Sequence, residues 1–149
     1  MNAWEQLIGN KILMSAVTGW FVAQLLKTII HTLMTKKFDP ERLTGSGGMP
    51  SSHSSTVCAM ATASGLLYGL DSFAFAVTVI IAIIVMHDAM GVRLETGKQA
   101  KLLNEIVESF RTMNGKKLAE EKLKEFVGHT PLQVLMGALL GILIGFLMA

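Results

Sequence analysis

The run GGMPSSHSS at positions 47–55 places one imidazole among hydroxyls and two glycines, just before an apolar stretch. Glycine lets a backbone amide face a ligand without a Cβ in the way, and the amides at a helix start favour anions. A phosphate ester bound by the amides of Gly47 and Gly48 and the hydroxyls of Ser51 and Ser52 would meet a proton donor in His53. The alternative is structural, with a serine that caps the helix and an incidental histidine. The run by itself favours neither interpretation.

More polar groups stand at the ends of other apolar runs. Lys27 and His31 are four residues apart and share one helical face, while His87, Asp88 and Arg93 close a later run. Ionisable groups at a membrane boundary are costly and mark candidate functional sites. Each also has an ordinary explanation: Lys27 and Arg93 could anchor helix ends to lipid headgroups, Asp88 could pair with Arg93, and the histidines could be interfacial. Of these interpretations, only a functional site predicts that all these side chains lie close together.

The last apolar run carries a stripe with a spacing of four, made of His129, Gln133, Gly137, Gly141 and Gly145. On a regular helix these residues share one face, and the glycines allow close approach of a second helix. The stripe is therefore expected to face the bundle and to turn His129 and Gln133 inward. It could equally mediate homo-oligomer contacts through the three glycines.

Gln133 also fits a local role. Thr130 as N-cap, Pro131 at the first helical position and Gln133 three residues after the cap form the pattern of a capping box. Capping and orientation of His129 are compatible, and capping is the simpler expectation.

The composition indicates a membrane protein. Of the 149 residues, 51% are hydrophobic and only 16% are charged, which is too apolar for an ordinary soluble domain of this size. The apolar residues cluster in long runs that approach spanning length. We expect an all-α integral membrane protein with a single domain over 1–149 and four transmembrane helices, at about 7–34, 53–70, 72–90 and 131–149.

Charge placement predicts the orientation. Eleven of the 13 lysines and arginines lie in two segments, one after the first predicted helix and one after the third. Four crossings put both segments on the same side, which the positive-inside rule assigns to the cytoplasm. We therefore expect a multi-pass protein of the cell's inner membrane, with both termini outside and the polar groups at the cytoplasmic face.

The segment at about 97–127 has helical rather than linker character. Two amphipathic pieces flank a break at Asn114 and Gly115. We expect a cytoplasmic helical hairpin that lies on the bilayer, covers the site or shields the end of the bundle. Cys58 is the single cysteine, so no intramolecular disulfide can form. No histidine spacing demands a metal and no nucleic-acid signature occurs, so neither a cofactor nor a nucleic-acid partner is predicted.

Three motifs together resemble a known family. GMPSSHS at 48–54, HDAMGVR at 87–93 and GHTP at 128–131 are similar to the small, divergent bacterial branch of the phosphatidic-acid phosphatase type 2 and vanadium haloperoxidase superfamily. Pro50-Ser51-Ser52-His53 resembles the Pro-Ser-Gly-His signature of that superfamily. The likeness extends over nearly the whole chain.

The resemblance implies roles for individual residues. His53 is similar to the general acid, His129 to the histidine nucleophile, and Lys27 and Arg93 to phosphate-binding cations. In the family an aspartate orients the nucleophile, and Gln133 occupies its place here, so Asp88 is the candidate for a carboxylate supplied from another helix. The family's Arg-Pro pair after the lysine is absent, and Arg93 lies far upstream of His129.

Two functions are therefore predicted. The first is a metal-independent membrane phosphatase that hydrolyses a lipid phosphate or prenyl (pyro)phosphate at the cytoplasmic leaflet. The second is a non-catalytic membrane protein that binds anionic lipid headgroups or scaffolds a partner. A small transporter is a weaker third interpretation, because the polar groups gather at one face instead of lining a path.

Overall fold

The computed structural model describes residues 2–38, 40–43, 45, 47–114, 123 and 128–149. These residues form helices and connecting turns, and no strand occurs among them, which confirms the all-α prediction. A short 3-10 turn spans Pro40–Leu43. The α-helices are α1 Ala3–Gly9, α2 Lys11–Thr35, α3 Ser52–Tyr68, α4 Phe73–Met90, α5 Val92–Asn114 and α6 Pro131–Met148.

Three helical segments are long and apolar enough to cross a membrane. They are Lys11–Thr35 (α2), Phe73–Phe110 (α4 with most of α5) and Pro131–Met148 (α6). They support a multi-pass membrane protein. α3 is not among them, because it has 17 residues and many of them are small or polar. The four crossings expected from the sequence therefore stay a prediction.

α3 lies at the centre of the bundle and packs against α2, α4 and α6. Its buried residues are mostly serine and alanine, and Ala59 and Ala63 are fully buried. A helix enclosed by protein meets other helices instead of lipid, so small residues that permit close packing replace large apolar ones. This position explains why α3 is rich in small and polar residues.

The glycine stripe of α6 supplies the closest packing. A Cβ on Gly137 or Gly141 would lie 2.3 Å from the carbonyl oxygen of Ser51 or Ser55, and one on Gly145 would lie 2.6 Å from Cβ of Thr62. The stripe therefore faces the bundle, as predicted. The suggested homo-oligomer contact through Gly137, Gly141 and Gly145 needs correction, because all three glycines are buried against α3 of the same chain.

Two helix bounds differ from the sequence prediction. The expected first helix at about 7–34 is interrupted at Asn10, whose side chain accepts from Leu13 N–H (3.1 Å) and caps α2. α5 begins at Val92, directly after Gly91 ends α4, and not near position 97. Most of the second arm of the expected hairpin lies outside the described residues. At Leu123, both backbone groups hydrogen-bond the side chain of Asn104 on α5 (2.9 and 3.0 Å).

Candidate active site

The segment before α6 fixes the position of His129. Its amide donates to the carbonyl oxygen of Ala89 at the end of α4 (2.9 Å). Gly128 has φ +93°, and a Cβ there would lie 2.3 Å from the amide nitrogen of Leu94. Only glycine permits this close approach at a positive φ. His129 is held between α4, α5 and α6 and is only 1% exposed.

The partners of the His129 ring define its tautomer. Nδ1 lies 3.1 Å from the carbonyl oxygen of Gly48 and 3.3 Å from Oε1 of Gln133. Both neighbours are acceptors, so Nδ1 must carry the hydrogen and the neutral ring keeps its lone pair on Nε2. The ring therefore presents its unprotonated nitrogen on the side opposite these two oxygens.

Gln133 performs both roles considered from the sequence. Oε1 accepts from the amide of Thr130 (3.1 Å), and the amide of Gln133 donates to Oγ1 of Thr130 (3.4 Å), which confirms the capping box. A backbone N–H can only donate, so the cap fixes which end of the Gln133 amide is oxygen. The same oxygen faces His129, and capping thereby helps to set the orientation of the ring.

His53 meets His129 at the start of α3. Nδ1 of His53 lies 3.4 Å from Nε2 of His129, and the two rings are edge to face with centroids 5.6 Å apart. Ser51 caps α3 by accepting from the amide of Ser54, and its own amide donates to the Gln133 carbonyl (3.0 Å). Ser52, in the first turn, is 4% exposed. The structure therefore confirms that Ser51 caps α3. It also brings the two histidines together, so the cap and the histidine pair occur at the same helix start.

Lys27 is 2% exposed, so its interpretation as a lipid anchor is wrong. Its Nζ donates to Oε1 of Gln24 (2.6 Å) and to the carbonyl oxygen of Gly45 (3.1 Å). Gly47 and Gly48 follow with φ of +87° and +83°. A Cβ on Gly48 would lie 3.2 Å from Cγ of Lys27, so this loop packs directly on the lysine stem.

Arg93 and Asp88 pair with each other across the α4–α5 junction, with Nε of Arg93 2.5 Å from Oδ2 of Asp88. Their side chains are 46% and 40% exposed. The neighbours of His129 Nδ1 are Gln133 and Gly48. Asp88 is therefore not the group that contacts this nitrogen; it is the ion-pair partner of Arg93.

The surroundings of His129 lower its pKa from 6.5 to about 4. Burial is the largest cause, because it removes water from the charged ring, and the nearby His53 and Lys27 lower the pKa further. The hydrogen bonds to Gln133 and Gly48 act in the opposite direction but do not compensate. His129 is therefore neutral at physiological pH, with its lone pair available.

Sequence reasoning missed two contributors, Gln24 and the carbonyl of Gly48. Gln24 is 5% exposed and sits in an apolar run three residues before Lys27, a spacing that could have signalled a lysine partner. Gly48 was expected to act through its amide, and its carbonyl is what touches His129. Nothing local in the sequence predicts that contact, because it joins residues 81 positions apart.

The other predicted groups are more peripheral. His87 is exposed on α4, and Nδ1 of His31 is buried without a hydrogen-bond partner in the described part of the chain. Across the described ranges, no three His, Cys, Asp or Glu side chains are grouped so that they could hold a metal ion.

Known proteins are similar to this chain over nearly its whole length. A family model described as the divergent PAP2 family matches residues 8–144. The chain is 40% identical over 153 aligned positions to YuiD of Bacillus subtilis, named an uncharacterized membrane protein, with 97% of each chain covered. No solved structure gave a significant match.

Proposed function

This chain belongs to the divergent PAP2 family, and from that membership we propose that it is a membrane phosphatase acting on a lipid phosphate or prenyl (pyro)phosphate. The observation that carries the proposal is the state of His129. Its Nδ1 faces two carbonyl-type oxygens, and its Nε2 faces a second histidine. A neutral, oriented imidazole beside a second imidazole that can carry a proton is the arrangement needed for nucleophilic attack on phosphorus.

His129 is the proposed nucleophile and His53 the proposed general acid. Nε2 of His129 forms a bond to phosphorus while the ester P–O bond breaks, and His53 gives its proton to the departing oxygen. Water then attacks the phosphohistidine, His53 takes a proton from that water, and phosphate leaves with His129 restored. The two steps use the same pair of side chains in opposite roles.

Lys27 and Arg93 are proposed to neutralise the charge on the phosphoryl oxygens. Phosphoryl transfer depends mainly on positioning and charge stabilisation, and two cations can supply the latter. The amides of Gly47 and Gly48 donate no hydrogen bond within the described residues, so they can turn to the phosphate as well. We therefore expect the activity to persist in EDTA.

Substrate must separate the two rings. At 3.4 Å the facing nitrogens of His53 and His129 are in contact, which leaves no room for an in-line phosphoryl group between them. His129 is buried and fixed by its Nδ1 partners, while His53 is half-buried in the first turn of α3. A rotation of the His53 side chain is therefore the proposed movement that admits phosphate.

The proposed topology has four crossings, with α3 enclosed by the other helices as the fourth. Its 17 residues span roughly 25 Å, slightly less than the hydrocarbon layer, and it begins at the site. Four crossings keep both basic segments in the cytoplasm and place the site at the cytoplasmic leaflet of the inner membrane, with the termini outside. Substrates made inside the cell, such as phosphatidate or phosphatidylglycerophosphate, suit this position.

The test measures phosphate release by purified protein in detergent with EDTA present. Phosphatidate, phosphatidylglycerophosphate and a prenyl diphosphate are the substrates. We expect His129→Asn and His53→Ala to lower kcat/KM by roughly 10²- to 10⁴-fold. His87→Asn replaces an exposed histidine on α4 and should leave the rate unchanged. Equal rates for all four proteins would remove the histidine assignment.

A second candidate is a non-catalytic protein that binds anionic headgroups. The neutral Gln133, at the place of the family's aspartate, favours it, because an amide stabilises an imidazolium less than a carboxylate does. Binding of phosphatidate vesicles that depends on Lys27, with no phosphate release from any substrate, would decide for this candidate.

A further inference from the structure

An apolar groove of about 310 Å³ runs between α2 and α6. Met49 and Pro50 close one end, while α6 contributes Met136, Leu139, Leu140 and Leu143. The α6 residues extend over roughly 10 Å at the helical rise of 1.5 Å per residue. Leu139 and Leu143 are 53% and 56% exposed, so the groove is open to the side rather than enclosed.

The groove and the histidine site share three chain segments. Leu26 and Ile30 line the groove on α2, on either side of Lys27 in sequence. Met49 and Pro50 directly follow Gly48, whose carbonyl contacts His129. On α6, Met136 lies about one turn beyond Gln133. The groove therefore starts next to the groups assigned to phosphate and leads along α6 away from them.

We propose that this groove binds one hydrocarbon chain of the phosphorylated lipid and aligns it with His129, an inference that rests on the proposed phosphatase function. The groove extends roughly 10 Å along α6 and has room for a single chain of about ten carbons. A second chain of a diacyl lipid stays in the bilayer. The protein thus recognises a phosphate with one chain and does not require two.

The experiment uses two ligand series with 4 to 16 carbons, the alkylphosphonates, which are not hydrolysed, and the alkyl phosphates. Leu139→Trp and Met136→Trp fill the groove from α6. Leu135→Trp is the matched control, because Leu135 is also lipid-exposed on α6 at 55% but does not line the groove. Circular dichroism and thermal unfolding in the same detergent verify that each variant folds.

We expect the groove variants to weaken binding of decyl phosphonate about tenfold, the effect of a poor steric fit, and that of butyl phosphonate less than twofold. The ratio of the variant's dissociation constant to that of the wild type should stop changing when the ligand chain is longer than about ten carbons. Because each comparison uses one ligand in one detergent, partition into micelles cancels. The same pattern is expected for kcat/KM of the alkyl phosphates.

An equal loss for short and long chains would overturn the groove assignment, as would a matching loss in Leu135→Trp. A change of oligomeric state in Leu139→Trp would instead indicate that the groove binds a second copy, and would also overturn it. If no alkyl phosphate is hydrolysed but phosphonate binding still depends on chain length and on Leu139, the phosphatase proposal fails and the groove assignment stands.

Discussion

The two cations of the candidate site lie in contrasting surroundings. Lys27 is 2% exposed and its ammonium is held by Gln24 and Gly45, whereas the side chain of Arg93 is 46% exposed and paired with Asp88. Charge interactions are strong where water is excluded and screened where it is not. The part of the site around Lys27 is therefore fixed in advance, while the part around Arg93 at the α4–α5 junction is adjustable; we call them the fixed half and the adjustable half.

The histidines divide in the same way. His129 is 1% exposed, and a backbone oxygen of Gly48 and a side-chain oxygen of Gln133 both hold its Nδ1. His53 is half-buried, and its hydrogen-bonding contact is with His129 itself. In the proposed mechanism, His129 as a fixed nucleophile and His53 as a movable acid would admit a phosphoryl group without losing the orientation of the attacking nitrogen.

Of the substitutions that test this contrast, Lys27→Met is expected to lower activity the most. It removes the buried charge but keeps the length of the side chain, so kcat/KM for phosphatidate should fall roughly 10²- to 10³-fold, as when one buried donor to a transition state is lost. The control is Lys37→Met, which removes an exposed lysine just beyond α2. If Lys27→Met stays within about twofold of the wild type, the buried half of the site does not bind phosphate.

Gly137→Ala tests whether helix packing holds the fixed half together. The new Cβ would lie 2.3 Å from the Ser51 carbonyl oxygen, so α6 must move away from the start of α3. We expect a loss of about 1–3 kcal/mol in unfolding free energy, seen as a lower Tm, and a fall of about 10²-fold in kcat/KM from misplaced histidines.

Gly9→Ala is the matched control for Gly137→Ala. A Cβ at Gly9 meets nothing within 4 Å, so both Tm and activity should be unchanged. Normal turnover in Gly137→Ala together with a lowered Tm would separate the packing from the chemistry and contradict the idea that the stripe positions the site.

The same contrast explains what the sequence could predict. The capping box at Thr130 and Gln133 and the glycine stripe of α6 were predictable, because they depend on residues within one helix. The convergence of His53 and His129 followed from their places at the ends of apolar runs. These features could be predicted because residue spacing within a helix, and the end of the apolar run at which a residue stands, can be taken directly from the sequence.

Other features depend on how the chain folds in three dimensions. The buried state of Lys27 follows from the loop that covers it, and the contact of Gly48 with His129 joins distant segments. The break at Asn10 lies near the start of the helix predicted at about 7–34, although an asparagine before an apolar run is a recognisable N-cap, where a new helix begins.

Arg93→Gln is expected to have a smaller effect than Lys27→Met, about tenfold or less in kcat/KM, because water already screens this cation. The loss should shrink further between 0.01 M and 1 M salt, where the Debye length falls from about 30 Å to about 3 Å. Measuring kcat/KM of Arg93→Gln and Lys27→Met at both salt concentrations compares the screened cation with the buried one. A loss as large and as salt-independent as that of Lys27→Met would show that Arg93 acts from a desolvated position.

The mildest change, Gln133→Glu, keeps the capping box and adds a carboxylate at Nδ1 of His129. In the wild type the pKa of His129 is about 4, so the nucleophile stays neutral and kcat/KM keeps its value until the pH falls toward 4. An opposite charge at contact favours the imidazolium and raises the pKa by about 1–3 units. The acid limb of the variant should therefore move to higher pH.

The ratio of variant to wild-type kcat/KM isolates this shift, because titration of the substrate's own phosphate cancels. We expect the ratio to fall below one at pH 5 and to reach or exceed one above pH 7, where a carboxylate stabilises the imidazolium that forms during attack. Gln99→Glu adds the same charge on exposed α5 and should give a flat ratio. A flat ratio for Gln133→Glu would mean that the ring of residue 129 does not change protonation on the catalytic path, and the fixed half of the site would then be a binding surface rather than a nucleophile.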